Sequence, residues 1–273
     1  MFTKVEVTNR RGNILTLAVL EDDNPYQIAA IEGLEPVQAT LTASSYAGLD
    51  GEIFQFAKRG ARNIRMKLDL DPDFDEQTYT TLRQGLYPFF APKSEITLRF
   101  YSDTGLYLDI VGVVEDFNSP LFDQDPSVDI SIMCYQPDFT DPRIVEVAGN
   151  TTSGTTPTTL NYPGTVETGT VVTLNLNRAL SEFTIYNVDE GGNIQQLDFT
   201  GDLLDDDVLV ISSLKGNKGI TLTRAGVSSS FLYGRSAQSS WIELSEGVNN
   251  FRIYAPGDPI PYVLEYVVRY GGL

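Results

Sequence analysis

Residues 62–70, RNIRMKLDL, alternate without a break. Ile64, Met66, Leu68 and Leu70 fall on one face; Asn63, Arg65, Lys67 and Asp69 fall on the other. A helix repeats its faces every 3.6 residues or about that, so a period of two predicts an antiparallel strand with one face buried. Asp71-Pro72-Asp73 follows, and a proline has no N–H to give to a ladder, so pairing is expected to stop there. Asp73, with Glu76 three residues on, predicts the cap of a short helix. Phe74, Tyr79, Leu82 and Leu86 would give that helix its apolar stripe, and Gly85 to Pro88 would end it.

The rest of the first half reads as short strands. Val5 and Val7 alternate with polar residues, and Leu15, Leu17 and Val19 share a face; Arg11-Gly12-Asn13 between them predicts a hairpin turn. Ile14 and Leu20 make the second of these strands apolar on both sides. Pro25 to Val37 reads as an irregular strand and a turn, and Ala43 to Gly51 as a small, polar loop. Ile96, Leu98 and Phe100, a turn at Ser102 to Gly105, then Leu106, Leu108 and Ile110 predict a hairpin. Asn118 to Pro126 reads as a loop, and Ser127 to Tyr135 as a strand carrying Val128, Ile130, Ile132 and Cys134 inward.

Gln136 to Arg143 holds two prolines and marks the expected boundary between a domain of residues 1–140 and one of residues 141–273. Beyond it, strand follows strand. Val145 and Val147 come before a Thr/Gly/Ser-rich loop at 149–159; strands follow at 170–175, 183–188, 194–199, 208–212 and 220–222, then around Trp241 and Phe251. Tyr262, Leu264, Tyr266 and Val268 share one face of a final strand. Strands at this short, regular spacing, with no helical pattern among them, predict a β-sandwich.

The chain has 273 residues, enough for one or two domains with a substantial core. Its net charge is −18 and both halves are acidic, which argues against nucleic acid as a main partner, because phosphate contacts need a dominant basic face. No apolar run approaches the roughly eighteen residues of a membrane-spanning helix, and the first twelve residues lack the apolar core of a signal peptide. With one cysteine and no histidine, neither an internal disulfide nor a Cys/His zinc site can be built.

Several patterns imitate catalytic or metal sites. Asp69, Asp71, Asp73 and Asp75 resemble the opening of a calcium loop, but Phe74 and Thr80 stand where that loop needs glycine and glutamate. Asp205-Asp206-Asp207 reads as a solvated turn before the strand at Val208. Ser212-Ser213-Leu214-Lys215 matches Ser-x-x-Lys without the companion motifs of that chemistry. Absence of histidine removes the usual general base and the Ser-His-Asp triad. No catalytic residue, metal ligand or cofactor is therefore assigned. The one charge feature that stands out is Lys58, Arg59, Arg62, Arg65 and Lys67, five cations with no carboxylate between them. They read either as an interface patch meeting the acidic surface of a neighbouring subunit or as a solvated strand face.

The phrases IEGLEPV (31–37), DGEIFQFAKRGARNI (50–64), FFAPKSEITLRFY (89–101), SSWIELSEGVNNFRIYA (239–255) and RYGGL (269–273) occur in an order that resembles the distal tail protein (Dit) family of long-tailed bacteriophages. The resemblance implies a mainly β chain: an N-terminal belt domain of sheets plus one short helix, then a galectin-like sandwich. It further implies a non-enzymatic ring, by family precedent a homohexamer, at the distal end of the tail tube of the virion, made in the host cytoplasm. Its implied partners are the tail tube protein, the tail-associated hub or fibre protein and receptor-binding proteins, with no membrane, and with DNA only passing through the channel. The sugar-binding run of true galectins is missing, since the chain has no histidine and reads Trp241-Ile242-Glu243-Leu244. Trp241 is therefore expected in the core. The alternatives are a carbohydrate-binding module that touches host cell-wall sugar and, more remotely, a cell-wall hydrolase.

Overall fold

The computed structural model describes residues 2–19, 24–48, 50–73, 75–120 and 126–273. It divides into two units, one of residues 1–140 with the last three residues, Gly271–Leu273, and one of Asp141–Tyr270.

The first unit is built on β1 (Phe2–Asn9), β2 (Ile14–Ala18), β3 (Tyr26–Glu32), β4 (Ala39–Ser44), β5 (Ile53–Arg59), β6 (Arg62–Leu70), helix α1 (Tyr79–Phe90), β7 (Glu95–Ser102), β8 (Tyr107–Asn118) and β9 (Ser127–Cys134). Seven of these strands run in the order β8-β7-β1-β2-β3-β6-β9, and β9 pairs back onto β8. The sheet thereby closes on itself as a barrel, in which β2 and β3 meet at a single residue pair. All pairings are antiparallel except the brief parallel one of β2 with β3 at Ala18 and Gln27. The alternation read in 62–70 is realised in β6: Ile64, Met66, Leu68 and Leu70 point inward, beside Val5, Val7, Leu17, Ile96, Leu98, Phe100, Val128, Ile130 and Ile132. Cys134 is buried in the same barrel. The β1–β2 turn is held by Asn9, whose Oδ1 accepts from the amides of Arg11 and Asn13, while Gly12 takes the positive φ the turn requires.

The helix differs from the sequence expectation at both ends. Asp73 Oδ1 accepts from the Asp75 amide and the Asp73 carbonyl from the amides of Glu76 and Gln77, so these residues close a separate turn. The cap is Thr78, whose Oγ1 accepts from the Thr81 amide while Thr81 Oγ1 takes the Thr78 amide. At the other end α1 runs through Pro88 to Phe90, burying Leu82, Leu86, Phe89 and Phe90. Pro88 lies in the last turn, where a missing N–H removes a bond at the end of the ladder rather than in its middle. Gly85 lies where a Cβ would stand 2.6 Å from the Tyr26 hydroxyl, which donates to the Leu82 carbonyl at 3.1 Å and ties α1 to β3. Two residues of the sequence reading, Leu20 and Phe74, lie outside the described residues, as does most of the loop read at 118–126.

The second unit is a sandwich. The chain enters it along β10 (Phe139–Asn150), a strand that includes Pro142. Then come β11 (Thr158–Tyr162), β12 (Thr168–Gly169), β13 (Val171–Asn175), β14 (Leu180–Asp189), β15 (Ile194–Leu203), β16 (Val208–Leu214), β17 (Asn217–Arg224), β18 (Val227–Ser230), a 3-10 turn at Leu232–Gly234, β19 (Glu243–Leu244), β20 (Gly247–Tyr254) and β21 (Pro261–Tyr270). One sheet runs β18-β17-β16-β13-β21-β10 and the other β11-β20-β14-β15, with β12 paired to β19. Leu174, Leu209, Ile211, Ile220 and Leu264 from the first meet Phe183, Ile185, Leu197, Phe199, Phe251 and Ile253 from the second in one apolar core. The face expected of the last strand is buried: Tyr262, Leu264, Tyr266 and Val268 all join that core.

Candidate subunit interface

β4 and β5 form a hairpin outside the barrel, paired from Ala39 opposite Arg59 to Ser44 opposite Ile53, with a register shift at Gln55 between the Thr42–Phe56 and Ala43–Phe54 pairs. The sequence reading placed a small, polar loop at Ala43 to Gly51, which falls on the last two residues of β4 and most of the connection to β5, and did not anticipate β4. Almost every residue of the hairpin is exposed. Paired residues share a face, so Phe54, opposite Ala43, lies on the face of Leu41, while Phe56, opposite Thr42, and Ile53, opposite Ser44, lie on the other. Their exposures are high: Leu41 69%, Ile53 52%, Phe54 61% and Phe56 58%, with Tyr46 in the connecting loop at 55%. A two-stranded ribbon is marginal on its own in water. One that shows large apolar groups on both faces marks a protein contact. The signal was legible: Ile53-Phe54-Gln55-Phe56 does not alternate with polar groups as a strand with one wet face should.

The five cations of the sequence reading are not brought together as one patch. Lys58 is exposed on the hairpin. Arg59, at its base, pairs with buried Asp138, Nη1 to Oδ1 at 2.5 Å and Nη2 to Oδ2 at 3.2 Å. Arg62 is only 2% exposed. Its Nε donates to the Pro137 carbonyl at 2.7 Å, Nη1 to the carbonyls of Gly33 at 2.6 Å and Glu35 at 2.8 Å, and Nη2 to the carbonyl of Gly271. Arg62 thus gathers the turn after β3, the approach to β10 and Gly271 inside its own unit, and burial lowers its pKa from the ordinary arginine value. Its guanidinium is unavailable to another subunit, because its donors are already committed. Arg65 and Lys67 stand exposed on the outer barrel face, lining a groove of about 640 Å³ with Glu32, Glu115 and Asp129. Register sets Glu32 opposite Arg65 and Asp129 opposite Lys67, so cross-strand acids interleave with these cations.

The other patterns resolve as structure. Asp207 is buried, not solvated: it pairs with Arg224 at 2.6 Å and accepts the Leu204 amide at 2.7 Å. The hydrogen bond from Arg224, ahead of the opposing cost of burial, holds its carboxyl below the usual range. Ser212 donates to the Asn217 carbonyl at 2.7 Å. Trp241 packs against the sandwich core with the Arg235 guanidinium 4.8 Å from its ring. Among the described residues no group of three or more acids, cysteines or histidines is placed to hold a metal, and no helix is long and apolar enough to cross a membrane.

A barrel that bears an exposed apolar ribbon, together with a β-sandwich, suits a component of an assembly. The sequence matches two family profiles: phage tail protein RIFT-related domain over residues 15–131, and siphovirus-type tail component, C-terminal domain, over residues 163–270. The protein is thus a structural component of a long-tailed phage tail. Between them the two profiles take in most of both units, and the chain belongs to the distal tail protein (Dit) family. The fold matches the crystal structure of the SPP1 Dit protein, described as a paradigm of the hub adsorption apparatus in phages infecting Gram-positive hosts, with a TM-score of 0.66, 15% identity, and coverage of 97% of this chain and 98% of that one. A chain of the phage P2 baseplate in its activated conformation with calcium aligns over 99% of this chain and 98% of its own, with a TM-score of 0.45 and 10% identity. No curated protein sequence matches.

Proposed function

We propose that the chain builds a ring, six copies in family precedent, at the distal end of the tail tube, and that the β4–β5 ribbon of each copy docks on the next. The observation that carries this is the ribbon itself: Leu41, Ile53, Phe54 and Phe56 lie exposed on a two-stranded element that its own unit does not cover. A heterologous contact repeated around an axis closes into a ring, so one apolar ribbon per copy suffices to join every neighbour. The first unit is the ring-forming belt, and the sandwich is a platform for receptor-binding or baseplate parts. The tail tube protein and the tail-associated hub or fibre protein are the axial neighbours. The net charge of −18 suits a conduit, since an acidic wall lets DNA pass without holding it. The role is architectural, with no catalytic step.

The test is genetic. A phage deleted for this chain should yield tails without complete ends, and the wild-type chain supplied in trans should restore them. Complete tail ends without the chain would refute the assignment.

A further inference from the structure

At one end of the sandwich, four segments distant in sequence converge on a concavity of about 390 Å³: Ser181 from β14, Thr200 and Asp202 from β15, Arg224 from the end of β17, and Phe231 and Tyr233 from the segment after β18. That volume lies at the low end of the roughly 300–1,000 Å³ of small-molecule sites. Phe231 is buried, and Tyr233 stands on it edge to face, with centroids 4.6 Å apart. Tyr233 itself is 79% exposed, the highest value among the large apolar and aromatic side chains described. An aromatic ring fixed from below and bare above is a stacking platform; burial would have served stability better.

The polar rim is fixed as well. Arg224 gives Nε and Nη2 to Asp207 and a further Nη2 bond to the Asp202 carbonyl, so its orientation is set, and Nη1 is left over. The register shift between Leu180 and Glu182 falls at Ser181, and bulges re-aim side chains beside sites. Gly201 is required next to it, because a Cβ there would stand 2.8 Å from the Phe231 ring. Charge narrows the ligand. Asp207 and Asp202 outnumber the single guanidinium, so an anion meets no net positive field. What remains is one aromatic face bordered by two hydroxyls, a carboxylate and spare guanidinium hydrogens. That set suits a ring with an apolar C–H face and a rim of hydroxyls that both donate and accept.

We infer that the Tyr233 concavity is a binding site for a neutral hexopyranose unit of a polysaccharide, with Tyr233 stacking on the sugar face and Asp202, Arg224, Thr200 and Ser181 bonding its hydroxyls. This goes beyond the scaffold role, and it puts sugar contact away from Trp241. A monosaccharide has few atoms to contribute, so single-unit affinity falls in the millimolar range and a surface carrying several copies acts by multivalency.

The experiment is saturation-transfer NMR and calorimetry on the full chain with glucose, galactose, rhamnose, N-acetylglucosamine and, as the anionic control, glycerol phosphate. Binding is expected for at least one neutral sugar. Tyr233→Ala should weaken it at least about tenfold and Asp202→Asn should weaken it measurably, with both variants keeping the wild-type melting temperature. Trp241→Phe should retain binding. The inference is overturned if no neutral sugar binds, if glycerol phosphate alone binds, or if sugar binding survives Tyr233→Ala.

Discussion

The guanidinium of Arg62 lies 4.5 Å from the centre of the Phe139 ring, on the first residue of β10, while its nitrogens hold the carbonyls of Gly33, Glu35, Pro137 and Gly271. One buried cation therefore closes the turn after β3, the approach to β10 and the end of the chain against the barrel. Only arginine has donors enough, in a fixed fork, to serve four carbonyls from one position. Arg62→Ala would leave those carbonyls unpaired in a dry site and empty the space over Phe139. The expected loss is about 3 kcal/mol or more, read by urea denaturation, with Arg62→Lys recovering only part of it.

Gly33 is the second requirement of the same cluster. Its φ is +83°, and a Cβ there would collide with the backbone carbonyl oxygen of Asn63. Gly33→Ala is expected to cost about 2–3 kcal/mol, through both strain and a displaced Arg62 acceptor. A melting temperature unchanged from wild type would contradict this.

Cys134 is the chain's one thiol, sealed in the barrel opposite Arg62 in register. Burial pushes its pKa up to about 12, with Arg62 opposing. A neutral, inaccessible thiol is a poor nucleophile. The folded chain should not react with a disulfide reagent at mildly alkaline pH, and the denatured chain should react with one equivalent. Fast labelling of the native protein would show that the barrel opens.

Asp207 and Asp141 contribute to the acid limb of stability. The hydrogen bonds from Arg224 and from Arg143 hold their carboxyls below the ordinary value of 3.8. A depressed folded pKa contributes stability that is present above the unfolded value and lost as the pH falls through the folded one. Unfolding free energy should therefore decline below about pH 4, and Asp207→Asn should be less stable at neutral pH with a shallower acid slope. An equal slope in the two proteins would place the acid sensitivity elsewhere.

Where one face of a strand is buried, the chain announces it, and β1, β6, β7, β9, β13 and β21 were readable from their alternation alone. The sandwich followed from the spacing of its strands, though that spacing says nothing about which strands become neighbours. The barrel was hidden because its closure depends on β9 meeting β8, a pairing no local pattern encodes. The helix cap was misplaced because Asp73 and Thr78 both open plausible caps, and tertiary packing of Leu82, Leu86, Phe89 and Phe90 chose the later one. Among the five cations, charge alone could not separate Arg62, which points into the barrel unit, from Arg65, which points out. The period did carry that difference, since Arg62 shares parity with Ile64, Met66 and Leu68. The Tyr233 concavity had no sequence signal, because its residues come from four segments.

The proposed ring contact should be separable from the fold. Phe54 and Phe56 are exposed in the isolated chain, so Phe54→Asp with Phe56→Asp should leave its melting temperature and circular dichroism unchanged. Reversing Arg65 and Lys67 should affect assembly less than the ribbon change does, because Glu32 and Asp129 already face those cations. Arg62 is unsuited to such a test, since altering it would destabilise the unit that carries the ribbon.

The most direct measurement is molar mass by light scattering on the purified full chain, wild type beside the Phe54→Asp, Phe56→Asp variant. The ring account predicts that the wild type assembles to a whole multiple of 30.1 kDa, six-fold if the ring is a hexamer, and that the variant runs as the 30.1 kDa monomer. The same mass for both proteins would contradict it.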